Sequence, residues 1–100
     1  MAEILAGTDL KFRVRIKADG FSMKTHPWQV RVEGNGVEKV FSRANSTEKD
    51  DGYEIAIRTD DMGGAGVYWA VTEIDVPDDA FESGYRHEVY KRKLCDVNRL

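Results

Sequence analysis

The chain has 100 residues, 15 basic and 18 acidic, and its net charge of −3 argues against nucleic acid or an anionic membrane as the main partner. With 41% hydrophobic and 33% charged residues, positions 1–100 have the makeup of one folded domain rather than a disordered segment. Cys95 is the sole cysteine, so an internal disulfide is excluded, and the longest apolar run, Val67–Val71, is too short to cross a bilayer.

The start, Met1–Asp9, has no cationic stretch and no apolar run of signal-peptide length, so the chain is expected to be made and kept in the cytoplasm. A two-residue period then predicts about seven strands, at 3–5, 9–18, 27–33, 36–42, 52–59, 66–76 and 86–98. Leu10, Phe12, Val14, Ile16 and Ala18 alternate with Lys11, Arg13, Arg15 and Lys17, an apolar face backed by a cationic one. Trp28, Val30 and Val32 likewise alternate with Gln29, Arg31 and Glu33. Gly34-Asn35-Gly36 follows, residues that tolerate positive φ, and the chain resumes at Val37; this is a hairpin signal.

After the turn Asp50-Asp51-Gly52, Tyr53, Ile55 and Ile57 are expected to face inward. The glycine-rich corner Asp60–Gly66 precedes the longest strand, in which Tyr68, Ala70, Thr72, Ile74 and Val76 oppose Val67, Trp69, Val71, Glu73 and Asp75. The acidic loop Pro77–Tyr85 leaves room for one helical turn near Asp78–Glu82. The last strand carries Val89 and the alternating Tyr90, Arg92 and Leu94. Short strands with turns about every 8–12 residues favour an all-β sandwich of antiparallel strands, with a small barrel as the alternative. The stretch Asp61–Tyr68 resembles the tyrosine corner of immunoglobulin-like domains, and Tyr68 is read equally as such a corner or as an ordinary core tyrosine.

Candidate chemistry is sparse. The cations Lys11, Arg13, Arg15 and Lys17 can track phosphates or an acidic partner strip, or else meet cross-strand acids such as Glu33, Glu38, Glu54 and Glu73 on a solvated face. The acidic loops lack calcium-loop spacing, and His26 and His87 have no ligand at zinc spacing. No serine sits in a nucleophile elbow, and Gly63-Gly64-Ala65-Gly66 lacks a phosphate-loop lysine. Cys95 reads as a buried or half-buried structural thiol. No cofactor, metal, small-molecule substrate or enzymatic activity is expected. An outward Trp69 with Val67 and Val71 would form an apolar strip that marks either a covered face or a protein contact.

Three segments carry a family resemblance: Met1–Asp9, Trp28–Val32 and, above all, Val76-Pro77-Asp78-Asp79-Ala80-Phe81-Glu82-Ser83-Gly84-Tyr85-Arg86-His87-Glu88-Val89. Together they resemble small proteins of Bacteroides-type phages and prophages with ends of the form Ile-Pro-Asp-x-Asp-Phe-x-x-Gly-x-Arg-x-Glu-Val. More loosely, the chain is similar to the immunoglobulin-like N-terminal domains of phage baseplate proteins. It departs at Ala80-Phe81, where Asp-Phe is usual, and at Trp28, where Phe is more common. The resemblance implies an immunoglobulin-like β-sandwich and a non-enzymatic part of a virion: a head decoration, a tail or baseplate component, or a fibre adaptor. Its implied partners are other virion or assembly proteins, a second copy included, reached after synthesis in the cytoplasm. The rival expectation is a module that binds a host-surface glycan or protein through Trp28, His26, Phe81 and Tyr85.

Overall fold

Alternation makes the strands, and the turns between them set which strands meet. A computed structural model describes residues 3–100 and contains seven strands in chain order. These are β1 (Asp9–Val14), β2 (Trp28–Gly34), β3 (Val37–Phe41), β4 (Thr47–Lys49), β5 (Gly52–Arg58), β6 (Gly66–Pro77) and β7 (Tyr85–Val97). They form two antiparallel sheets, a three-stranded one in the order β1-β5-β4 and a four-stranded one in the order β3-β2-β6-β7. The expected all-β sandwich is borne out. Among the described residues two short 3-10 turns, Arg43–Asn45 and Thr59–Met62, interrupt it.

The inward residues fill the space between the sheets. Val30, Val32, Ile55, Met62, Tyr68 and Val76 are essentially inaccessible to solvent. Trp28 of β2 lies tilted against Tyr53 of β5, ring centroids 5.1 Å apart, which sets β5 over β2. Phe12 and Val14 of β1 face Ala70 and Ile74 of β6 across a shared cavity. Burying a side chain of this size contributes about 1.5–3 kcal/mol, so these inward rows dominate the stability.

Several expected boundaries shift, each for a physical reason. The alternation of 9–18 continues past Val14, but pairing with β5 stops there, at Val14↔Tyr53. Residues 15–18 therefore run on as an unpaired segment, and the Ile16 amide donates to the Met23 sulfur (3.4 Å) instead of to a strand. The expected strand 3–5 is reduced to a parallel bridge between Leu5 and Asn98. Thr47–Lys49 is a strand that periodicity does not reveal, because all three residues are exposed. The acidic loop after Pro77 forms turns and no helix.

Two tight corners close one end of the sandwich. Asn35 and Gly36 have φ of 54° and 74°, the left-handed pair that a two-residue hairpin between β2 and β3 requires. Asn35 then reaches across, its Nδ2 donating to the Met62 carbonyl at 3.0 Å. Gly66, with φ of 153°, approaches so closely that a Cβ there would stand 2.4 Å from Asn35 Oδ1. In the same corner Tyr68 is completely buried, and its hydroxyl donates to the Gly64 carbonyl (2.6 Å) with the Thr59 carbonyl 3.3 Å away. Of the two readings of Tyr68, the corner geometry is the one adopted.

At the other end β6 and β7, 12 and 13 residues long, continue as a hairpin of roughly 40 Å. The molecule is accordingly elongated, 50 × 28 × 25 Å.

Candidate functional site

The outer face of the four-stranded sheet gathers most of the unassigned chemistry. Register puts Gln29, Arg31 and Glu33 of β2 beside Glu73, Val71 and Trp69 of β6, and these in turn beside Val89, Lys91 and Lys93 of β7. Arg31 is the centre: Nε donates to Glu33 (3.0 Å) and Nη1 to Glu73 (2.9 Å), while Glu38 stands 3.8 Å away. The Gln29 side-chain amide also donates to Glu73, at 3.2 Å. Bonding to Arg31 holds the Glu33 carboxyl below its ordinary range, and the same bond raises the guanidinium.

His87 completes the row. Its Nδ1 lies 2.8 Å from Asp75 and its Nε2 3.4 Å from Glu73. The bond to Asp75, then that to Glu73, raises the imidazole above its ordinary value, so the ring holds a proton more readily than a free histidine. Lys91 spans the remaining gap, its Nζ 5.1 Å from the Trp69 ring centroid and 3.9 Å from Glu33. Cations and carboxylates alternate here in near balance, which ties three strands together and orients Trp69. Among the described residues no three His, Cys, Asp or Glu side chains are grouped as a metal site.

Trp69 does face outward, 36% exposed, and Val67 (42%), Val89 and Val40 share its sheet face. Val71 departs from the expected strip. It is buried at 5%, flanked in register by the long stems of Arg31 and Lys91.

The other candidate residues lie apart from this face. Trp28 is only 5% exposed, its indole N–H donating to the Met23 carbonyl at 3.0 Å, so it belongs to the core and is corrected as a contact residue. His26 is half-buried, stacked on Phe21, and its Nδ1 accepts the Ser22 amide at 3.0 Å. Phe81 and Tyr85 sit together at the β6–β7 hairpin end, both about half exposed. That end is held by Asp78, which accepts the Ala80 amide (2.9 Å) and pairs with Arg86, itself bonded to Glu88 (2.8 Å). The Ala80 amide and then Arg86 keep the Asp78 carboxyl low.

Arg13 and Arg15 point away from the core on the outer face of the three-stranded sheet. Both pair with Asp51, and Arg13 also approaches Glu54 at 3.9 Å. Of the acids expected to meet this ladder, Glu54 does so; Glu33, Glu38 and Glu73 lie on the other sheet around Arg31. Cys95 is half-buried, and burial pushes its thiol up. The Arg31 centre escaped sequence reasoning because its partners are separated by up to 42 positions; outward polar residues on adjacent strands were the only signal. Comparisons with protein-family models, curated proteins and solved structures find no match to this chain.

Proposed function

We propose that this chain is a non-enzymatic structural or assembly protein of a phage or prophage particle, built as an immunoglobulin-like sandwich. The fold assignment is supported by connectivity: three strands in the order β1-β5-β4 face four in the order β3-β2-β6-β7, with a buried tryptophan on β2 and a tyrosine corner opening β6. The observation that carries the assembly reading is the outward apolar set Val40, Val67, Trp69 and Val89 on a sheet face stiffened by ion pairs. Such a face suits repeated packing against other virion proteins or a second copy, where multivalency amplifies weak contacts. Synthesis in the cytoplasm, followed by incorporation into a virion, belongs to the same proposal.

The test is to find the protein in purified particles by mass spectrometry and to map its position by imaging, with Trp69→Glu as the companion variant. The proposal expects a stable variant that no longer incorporates; a stable Trp69→Glu protein with unchanged assembly overturns the role of this face. A second reading, recognition of a host-surface glycan or protein, is favoured by the exposure of both Phe81 and Tyr85 at one hairpin end. A glycan-array signal that survives replacement of both by alanine would count against it.

A further inference from the structure

The two sheets do not match in width. Three strands face four, and β1 and β7 are the outermost strands on the same side of the sandwich. β1 lies over β6, so the position beside β1, over β7, holds no strand. Side chains reflect this vacancy. Tyr90 and Arg92 of β7 pair in register with Thr72 and Ala70 of β6 and so stand on the inner face, yet Tyr90 is 54% exposed. An inward tyrosine in a complete sandwich would be covered.

Between these two edges runs a groove of about 280 Å³. Its floor is apolar, with Phe12, Val14, Ile16, Val30, Ile74 and Leu94. Toward Leu94 the chain's own start closes in: Leu5 bridges Asn98, and Ile4 narrows the space to a separate cavity of about 170 Å³ against Phe12 and Leu94. The open part is therefore the stretch between Val14–Lys17 and Tyr90–Arg92. Its lining is predominantly cationic. Arg13, Arg15, Lys17 and Arg92 belong to the groove in a chain of net charge −3, and the acid at its β7 border, Glu88, accepts the Tyr90 hydroxyl. Arg13 and Arg15 share Asp51, but Lys17 and Arg92 have no ion-pair partner among the described residues.

We propose that this groove receives an extended acidic segment of a partner protein, which adds as a fourth strand beside β1 and covers the inner face of β7. An extended segment uses what the site offers: a free strand edge for main-chain hydrogen bonds and an apolar floor for alternate side chains. Carboxylates at the intervening positions answer the cations of the rim. A second copy docking by its β7 edge is a poorer occupant, since Lys91, Arg92 and Lys93 would come up against the same cations. The inference assumes a protein partner, as the assembly reading does, but uses a different surface from the Trp69 face.

The test uses the full chain and two blocked nine-residue peptides, one alternating Glu and Val, the other Lys and Val. Fluorescence anisotropy and amide chemical-shift mapping are the readouts. The Glu–Val peptide is expected to bind with shifts concentrated at Phe12–Lys17 and Tyr90–Leu94, and the Lys–Val peptide to bind at least about tenfold more weakly. Lys17→Glu with Arg92→Glu, both exposed positions, should weaken the Glu–Val peptide by about tenfold or more, while exposed Lys49→Glu leaves it unchanged. Equal binding of both peptides, absence of binding to millimolar concentration, or shifts on the Trp69 face or the hairpin end would each overturn the proposal. Self-association through β1 in the peptide-free protein would do the same. None of these results bears on whether the protein is found in particles, so the two readings fail separately.

Discussion

Replacing Tyr68 by phenylalanine isolates one hydrogen bond at the corner that opens β6. The ring is wholly buried, so the substitution leaves packing against Gly34 and the core intact and removes only the hydroxyl. That hydroxyl donates to the Gly64 carbonyl at 2.6 Å, a bond on the short side of the usual range. The Thr59 carbonyl loses little, because the Gly64 amide already donates to it at 2.8 Å. The Gly64 carbonyl loses its side-chain donor in a half-buried position, so the expected cost is about 1–2 kcal/mol. For a domain of this length that is a fall in melting temperature of roughly 5–10 °C. Urea unfolding followed by tryptophan fluorescence measures it, with an unchanged denaturant slope. Tyr53→Phe is the internal comparison: its hydroxyl donates at 3.2 Å to Glu48, an exposed carboxylate that water can serve, so its loss should be smaller. A Tyr68→Phe protein within ~0.3 kcal/mol of the parent, or less affected than Tyr53→Phe, refutes the corner as a stabilising device.

Further outcomes follow from the same geometry. Gly52→Ala forces a Cβ to within 2.3 Å of the Val14 carbonyl at a φ of 155°, and should cost about 3 kcal/mol or more, read as a large drop in the urea midpoint. His87 should titrate above its ordinary value of 6.5 by NMR, and Asp75→Asn should return it toward that value. Because the folded pKa is the higher one, the stability His87 contributes is complete below 6.5 and is lost as pH rises through the folded value; a loss on acidification instead would contradict the assignment. Cys95, half-buried with its thiol pushed up, should react with a disulfide reagent much more slowly in the native than in the urea-unfolded protein.

Sequence carries the identity of a strand more readily than its neighbours. The inward rows of β1, β2, β5 and β6 follow from alternation, because a face buried against a second sheet must repeat every two residues. Residues 15–18 keep that repeat yet join no strand ladder, since ladder pairing depends on a partner that ends at Gly52. β4 is the converse: it pairs with β5 while its side chains, all in water, leave no pattern to read. Val71 and Arg31 were illegible for a third reason. Burial of an outward valine beneath long charged stems, and an arginine shared by two glutamates, are properties of register between strands some 40 positions apart. The same holds for Tyr90, whose exposure on an inner face depends on how many strands the opposite sheet has.

The bond from Asn35 to the Met62 carbonyl, with Gly66 wedged against the same side chain, couples two loops that are distant in the chain. Their lengths and residues cannot drift separately: a change at one demands an answering change at the other. The hairpin around Gly84, where an added Cβ would meet nothing within 4 Å, lies at the far end of β6 and carries no such obligation. Foreign sequence grafted at 79–83 should leave the domain foldable, whereas the same graft between Asn35 and Gly36 should not. Diversification is thereby confined to one pole of the molecule, and the other acts as its keystone.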